Sequence, residues 1–193
     1  YYRGKFYTHV SLSIPGRHNI LNALACCGVC ITLGISKKAY AEGVGLFCGT
    51  RRRFEHVGTI NGATVIDDYA HHPTEIKATL AAARRFAPKR LRCVFQPHTY
   101  SRTRLLWDEF MHAFGDTDEL ILADIYAARE LPDGITSSPK LAAELKKRGV
   151  NAIYMESFDK IADYLKETLA DGEILLTIGA GDVYKVGDMI LGK

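Results

Sequence analysis

Ala63-Thr64-Val65-Ile66-Asp67-Asp68-Tyr69-Ala70-His71-His72-Pro73-Thr74-Glu75-Ile76 is the stretch on which the fold turns. Residues 63–67 read as a strand, and Pro73 suits the first turn of a helix. Ile76, Leu80 and Ala83 then share one face, so residues 73–86 form an amphipathic helix. Just upstream, residues 54–60 make a second strand, joined to the first by Asn61-Gly62, a good two-residue hairpin turn. Downstream the alternation continues: strand 91–95, helix 102–114, strand 120–124, helix 138–148, strand 152–155, helix 157–170 and strand 173–178. Gly179-Ala180-Gly181-Asp182 opens a last helix. This order predicts an α/β fold, a mostly parallel sheet with helices on both faces.

Residues 1–49 follow another pattern. A β-like start at 6–12 leads through Ile14-Pro15-Gly16-Arg17-His18-Asn19 into a helix of small residues that ends near Leu33. Gly34 sits where a C-cap belongs, and Ser36 suits the N-cap of a second helix, 37–46. The apolar run 20–35 falls short of the roughly 18–20 residues a membrane span needs, so no membrane is expected. Its Cys26, Cys27 and Cys30, with Cys48 and Cys93, give five cysteines, an odd number that is no disulfide framework and points to a reducing cytoplasm. Cys27 and Cys30 form a lone C-x-x-C without the second pair a zinc knuckle requires, and are read as small buried apolar residues. The 193 residues carry 25 Lys+Arg against 22 Asp+Glu, a balance that excludes polybasic or acidic tails and gives no reason to expect nucleic acid.

Parallel sheets bind ligands outside the carboxyl ends of their strands. Four such ends are loaded here. One carries Asp67-Asp68-Tyr69-Ala70-His71-His72. The next carries Gln96-Pro97-His98-Thr99-Tyr100-Ser101-Arg102-Thr103-Arg104, and the third Asp124-Ile125-Tyr126-Ala127-Ala128-Arg129-Glu130. The last is the Gly179 turn. Asp67 and Asp68 suit a cation, a nucleotide hydroxyl or an amine, with a helix cap as the plainer alternative. Arg102 and Arg104 near a helix start oppose its dipole, which suggests a bound anion; solvated helix charge is the alternative. Gly179-Ala180-Gly181 is half a dinucleotide fingerprint or simply a tight turn. The Arg51-Arg52-Arg53 run is either a site or a solvated cluster.

These motifs resemble the Mur ligases, the ATP-dependent amide-forming enzymes of peptidoglycan precursor synthesis. Pro15-Gly16-Arg17-His18-Asn19-Ile20-Leu21-Asn22-Ala23 resembles the family's central-domain motif, and Gly49-Thr50-Arg51-Arg52-Arg53-Phe54 its linker. The double His and the Gln-Pro-His run are similar to the member that adds L-alanine to UDP-N-acetylmuramate, with a tripeptide-recycling ligase similarly close. The resemblance implies a cytoplasmic ligase that uses ATP and Mg2+, with L-alanine and UDP-N-acetylmuramate as substrates and an acyl phosphate as intermediate. It implies that residues 1–49 are the C-terminal remnant of a central ATPase domain and 50–193 a Rossmann-like C-terminal domain. His18, Asn19 and Asn22 then face the adenine-ribose end. Arg53, or Arg52 if the register slips by one, contacts phosphates, and Asp68 holds a ribose hydroxyl or orders the nucleotide. His71, His98, Arg102 and Arg104 gather round the amino acid and the acyl phosphate. No metal ligand is assigned within this chain.

No Gly-Lys-Ser or Gly-Lys-Thr occurs, so the phosphate loop is not among these residues. The expectation is a C-terminal fragment, inactive alone. Its first apolar helix is expected to expose a patch, or to be covered by dimerisation. The rival readings are a stand-alone nucleotide-binding module and a non-catalytic interaction domain.

Overall fold

The structure is a computed structural model that describes residues 1–14 and 16–193, the side chain of His18 excepted. It forms two compact units, Tyr1–Thr50 and Arg51–Lys193.

In the first unit, helix α1 (Arg17–Thr32) and helix α2 (Lys37–Leu46) pack through few contacts. Ser36 caps α2 by accepting from the Ala39 amide, and the Tyr40 hydroxyl donates to the Ala23 carbonyl at 2.9 Å. Ile20, Leu21, Leu24, Val29 and Leu33 of this region are exposed. A concavity of about 850 Å³ is lined by Val10, Leu12, Ala23, Cys27 and Ile31, among others. Residues 6–12 form no strand, contrary to the expectation from their sequence. A strand exists by pairing its backbone, and among the described residues of this unit no edge pairs with it. All five cysteines are free; Cys30 and Cys93 are buried, but Cys26 and Cys48 are exposed. Among the described residues no helix is long and apolar enough to cross a membrane.

The second unit is built from the hairpin outward. Asn61 and Gly62 both take positive φ (51° and 79°), the geometry that turns strand β1 (Glu55–Ile60) back onto strand β2 (Ala63–Asp68). A Cβ on Gly62 would lie 2.5 Å from the Asp171 carboxylate, so the corner needs glycine. Helix α3 (Pro73–Arg84) starts with a capping box in which His72 Nδ1 accepts from the Thr74 amide and Glu75 accepts from the His72 amide. Strands β3 (Arg90–Phe95), β4 (Glu119–Leu122), β5 (Ala152–Tyr154) and β6 (Glu173–Ile178) follow, all parallel to β2, in the order β1-β2-β6-β3-β4-β5.

Alternate strand residues face opposite layers. Leu91, Cys93, Phe95, Leu120, Leu122 and Leu176 pack against α3 and against helix α6 (Ser138–Lys147). Val65, Val94, Ile121 and Leu175 pack against helix α7 (Phe158–Thr168) and helix α8 (Tyr184–Leu191). The helix expected over 102–114 is instead two segments, α4 (Tyr100–Leu105) and α5 (Trp107–Phe110), broken at Leu106. The break aims the second segment so that Phe110 and Phe114 reach Phe95, with ring centroids 5.5 and 5.2 Å apart. Because β6 inserts between β2 and β3, three carboxyl ends meet: the Gly179 amide donates to the Asp68 carbonyl and the Gln96 amide to the Ile178 carbonyl.

Candidate functional site

The adjacent aspartates at the end of β2 point to opposite sides of the strand, and each ties down the segment that precedes β1. Asp67 accepts from Arg52 Nε at 2.9 Å and from the Thr177 hydroxyl at 2.6 Å. Asp68 accepts from the amides of Phe54 (2.9 Å) and Ala70 (2.8 Å). Burial pushes both carboxyls above their usual range, and these hydrogen bonds pull them back. Arg52 also donates to the Gly179 carbonyl at 2.6 Å and lies over the rings of Tyr69 (5.0 Å) and Tyr184 (4.7 Å). Arg52 and Phe54 hold left-handed backbones, φ 59° and 49°, which these contacts stabilise. Arg53 between them is exposed, its guanidinium 5.9 Å from the Tyr69 ring centre. Of the two register alternatives, Arg52 is engaged inward and Arg53 is the one presented to solvent. Asp68 serves the segment that carries Arg53.

The Gly179-Ala180-Gly181 turn is shaped by packing. A Cβ on Gly181 would come 2.5 Å from Gln96 Oε1 and 2.7 Å from the Tyr126 ring. Gln96 Oε1 accepts from the Asp182 amide at 2.8 Å. Close approach of the turn to the β3 end thus accounts for the glycine, which is the tight-turn alternative.

Beyond β3, residues 97–99 zip against the loop after β4: the Tyr126 amide donates to the Pro97 carbonyl and the Thr99 amide to the Tyr126 carbonyl. This stacks the His98 ring on Tyr126, with centroids 5.4 Å apart. Thr99 sits at φ 64°, a costly conformation for a β-branched residue, and its side chain faces the Arg102 amide at 3.4 Å. The start of α4 is met by a carboxylate of the chain itself, since Glu130 accepts from the Ser101 amide at 2.8 Å and from the Ser101 hydroxyl. Glu130 thus meets the start of α4 at Ser101 and pairs with neither Arg102 nor Arg104.

The two arginines of α4 part ways. Arg104 pairs with Asp133 at 3.1 Å. Asp133 also accepts from the Thr136 amide and hydroxyl and the Ile135 amide, and these bonds, Thr136 first, hold its carboxyl down at about 2. Arg102 instead places Nη1 3.0 Å from His98 Nδ1. His71 Nδ1 lies 3.1 Å from the Tyr69 carbonyl, and its ring centroid is 6.0 Å from that of His98. Burial, then the Arg102 charge, then His71, lower the His98 pKa below the usual imidazole value, against weaker pulls from Glu130 and its own carbonyl. His71, His98 and Arg102 thus form one patch with Tyr69 and Tyr126, from which Arg104 is diverted to the loop after β4.

In the first unit, Asn19 and Asn22 occupy the start of α1 one turn apart, hence on one face. The side chain of His18 lies outside the described residues. Tyr69, Tyr126 and Glu130 were not singled out from the sequence, although all three lie in the strand-end runs quoted from it; Arg52 entered there only as the register alternative to Arg53.

Cation, imidazole and hydroxyl side by side suit the binding of an anionic oxygen and the movement of a proton. Such a patch lacks the carboxylate oxygens that Mg2+ prefers. Among the described residues no three His, Cys, Asp or Glu side chains gather as metal ligands, and Asp67 and Asp68 already accept internal donors.

A family profile described as Mur ligase, glutamate ligase domain, matches residues 52–181. The chain is 55% identical over 185 residues to a UDP-N-acetylmuramate–L-alanine ligase of Clostridium acetobutylicum, covering 96% of this chain and 40% of that protein. It is 51% identical over 191 residues to the enzyme of the same name from Caldanaerobacter subterraneus, covering 99% and 42%. The crystal structure of the UDP-N-acetylmuramate-alanine ligase of Thermotoga maritima superposes with a TM-score of 0.79 at 28% identity, over 98% of this chain and 40% of that one. A murein peptide ligase from Psychrobacter arcticus, at 24% identity and TM-score 0.69 over 95% of this chain and 38% of its own, shares the fold. The chain therefore spans about two fifths of the length of the curated relatives it matches. With two thirds of its residues inside the family profile and these relatives above half identity, the chain belongs to the Mur ligase family.

Proposed function

We propose that the chain is the amino-acid-binding end of an ATP-dependent ligase that joins L-alanine to UDP-N-acetylmuramate through an acyl phosphate, in the cytoplasm. The observation that carries this reading is the convergence of His71, His98 and Arg102 where β2 and β3 end, beside the turn after β6. In this reading residues 1–49 are the tail of the central nucleotide-binding domain, with His18, Asn19 and Asn22 toward adenine and ribose. Arg53 reaches the phosphates, and Asp68 fixes the backbone beside it.

Activation of the muramoyl carboxylate needs, besides those contacts, a phosphate loop and Mg2+ ligands that no motif of this chain supplies. The residues of this chain act on the second half of the reaction. Arg102 offers N–H groups to the alanine carboxylate, an oxygen pair its planar fork matches. Held there, the amine is positioned for attack on the activated acyl carbon, where orientation rather than strong basicity supplies most of the gain. The nitrogen–carbon bond forms, the carbonyl electrons move to oxygen, and their return expels inorganic phosphate with the bonding pair. Two protons leave the nitrogen along the way, and an imidazole beside it suits taking the first. Arg104 supports the site from outside by holding the loop after β4 to α4.

The test is phosphate release by the full-length enzyme with L-alanine or a ready-made tripeptide as acceptor. Release with L-alanine, lost on replacing His71 and Arg102, supports the reading. Release with tripeptide alone, or unchanged activity in both variants, overturns it.

A further inference from the structure

The two imidazoles of the patch are wired in opposite senses. A guanidinium only donates hydrogen bonds, so His98 Nδ1, 3.0 Å from Arg102 Nη1, has to accept, and the single proton of the neutral ring sits on Nε2. A backbone carbonyl only accepts, so His71 Nδ1, 3.1 Å from the Tyr69 oxygen, has to donate, and the lone pair of that ring sits on Nε2. Among the described residues no side chain or backbone group is bonded to Nε2 of either ring. Two histidines 6.0 Å apart therefore present unlike nitrogens to whatever lies between or above them.

We propose that His71 Nε2 is the proton acceptor for the substrate ammonium, and that His98 Nε2–H is a fixed donor to an anionic oxygen of the same reaction, with Arg102 as the positioning residue that sets the His98 tautomer. The inference rests on the ligase reading and gives each histidine its role within it. His71 takes one proton from the alanine ammonium and becomes an imidazolium whose Nδ1–H still reaches the Tyr69 carbonyl, with the Glu75 carboxylate 3.8 Å away to favour that charge. The freed nitrogen pair forms the bond to carbon, and phosphate leaves with the pair from the broken carbon–oxygen bond and takes up the second proton of the nitrogen. His98 transfers no proton. Protonating it would set two donors nose to nose at the Arg102 contact. The charged and titratable groups facing His98 are Arg102 from α4, His71 from the loop after β2, and Tyr126 and Glu130 from the loop after β4. Those facing His71 are Tyr69, Glu75 and His98.

Long-range proton–nitrogen correlation NMR on the nitrogen-labelled 193-residue chain reads the tautomers directly, well above the usual imidazole pKa of ~6.5. The expected pattern is Nε2–H for His98 and Nδ1–H for His71. Matching tautomers in the two rings, or the reverse assignment, overturn the inference. In Arg102→Met, His98 should lose its single tautomer and titrate higher, while His71 keeps its pattern. An unchanged His98 overturns the role given to Arg102. Glutamine places an N–H donor near Nε2 but supplies no base. In the full-length enzyme His98→Gln should therefore stay within about tenfold of wild type, whereas His71→Gln loses ~10²–10⁴-fold in kcat/KM. The opposite ranking overturns the assignment. Wild-type enzyme that forms no amide with L-alanine overturns the ligase reading itself, which the tautomer measurement does not touch.

Discussion

The two ends of the sheet in the second unit are both rich in charge, yet they are built differently. At the amino end, Arg92 is fully buried and ringed by partners, although its Nη1 makes no hydrogen bond. Its Nε meets Glu119 at 2.6 Å, Nη2 donates to Thr168, Nη1 faces Glu173 at 3.6 Å, and the Tyr164 ring lies 5.2 Å from its guanidinium carbon. Arg90 and the Tyr164 hydroxyl complete the shell of Glu119. At the carboxyl end, one pair is closed in the same way, Arg52 with Asp67, but His71, His98 and Arg102 keep a nitrogen for something else. Charge density alone does not distinguish structure from site. Whether an unmet donor or acceptor is open to the surface does, as at the half-buried His71, His98 and Arg102 but not at the sealed Arg92 Nη1.

Three substitutions set the ends against each other. Arg92→Met leaves buried Glu173 without its cation and Glu119 with Arg90 alone, which should cost ~3–5 kcal/mol in urea unfolding of the chain. Replacing all three charges by Met and Leu should recover most of that loss, and a single-variant cost below ~1 kcal/mol would break the comparison. Arg102→Met at the other end should behave in reverse. Stability should change by less than ~1 kcal/mol, while kcat/KM of the full-length enzyme falls ~10²–10³-fold as a positioned donor is removed. Asp67→Asn tests the closed pair within the open end. It should cost ~1.5–3 kcal/mol, and Arg52→Met should cost less on top of it than alone, because both remove the same charge-assisted contact while the Gly179 bond and ring contacts of Arg52 are lost either way. Full additivity would mean that the pair is not a unit.

The sequence periodicities made the strands and helices of residues 54–193 legible because each strand is bounded by turn residues and each helix carries an apolar stripe. The insertion of β6 between β2 and β3 had no local signal. Residues 173–178 are buried at every position, as a central strand's are, but their neighbours are set by long-range packing. The failure at 6–12 has the same root, since strand propensity means nothing without an edge to pair. In the site, His71, His98 and Arg102 were legible from the rule that ligands sit at carboxyl strand ends. The divergence of Arg104 was legible too, because residues two apart on a helix point ~200° away from one another and cannot both face one ligand. Adjacent Asp67 and Asp68 on a strand likewise had to look in opposite directions. The partners that absorbed them, Thr177 and the backbone of Phe54, lie 110 and 14 residues away.

The smallest expected effect concerns the loop that carries Tyr126 and Glu130 to the site. Asp133 holds this loop through Thr136, Ile135 and Arg104, and its carboxyl titrates at about 2 in the folded chain. An unfolded aspartate titrates near ~3.9. The folded value is depressed, so the stabilisation is fully present above the unfolded value and disappears as pH falls through the folded one. Wild type should therefore melt above Asp133→Asn at neutral pH, with the gap narrowing between about pH 4 and 2. Arg104→Met should narrow it in part, since the two Thr136 bonds and the Ile135 amide remain. A gap independent of pH would show that the aspartate acts only through its shape. The loop would then owe its place to the Glu130–Ser101 contact and the backbone zipper at Tyr126, neither of which the Asp133→Asn change touches.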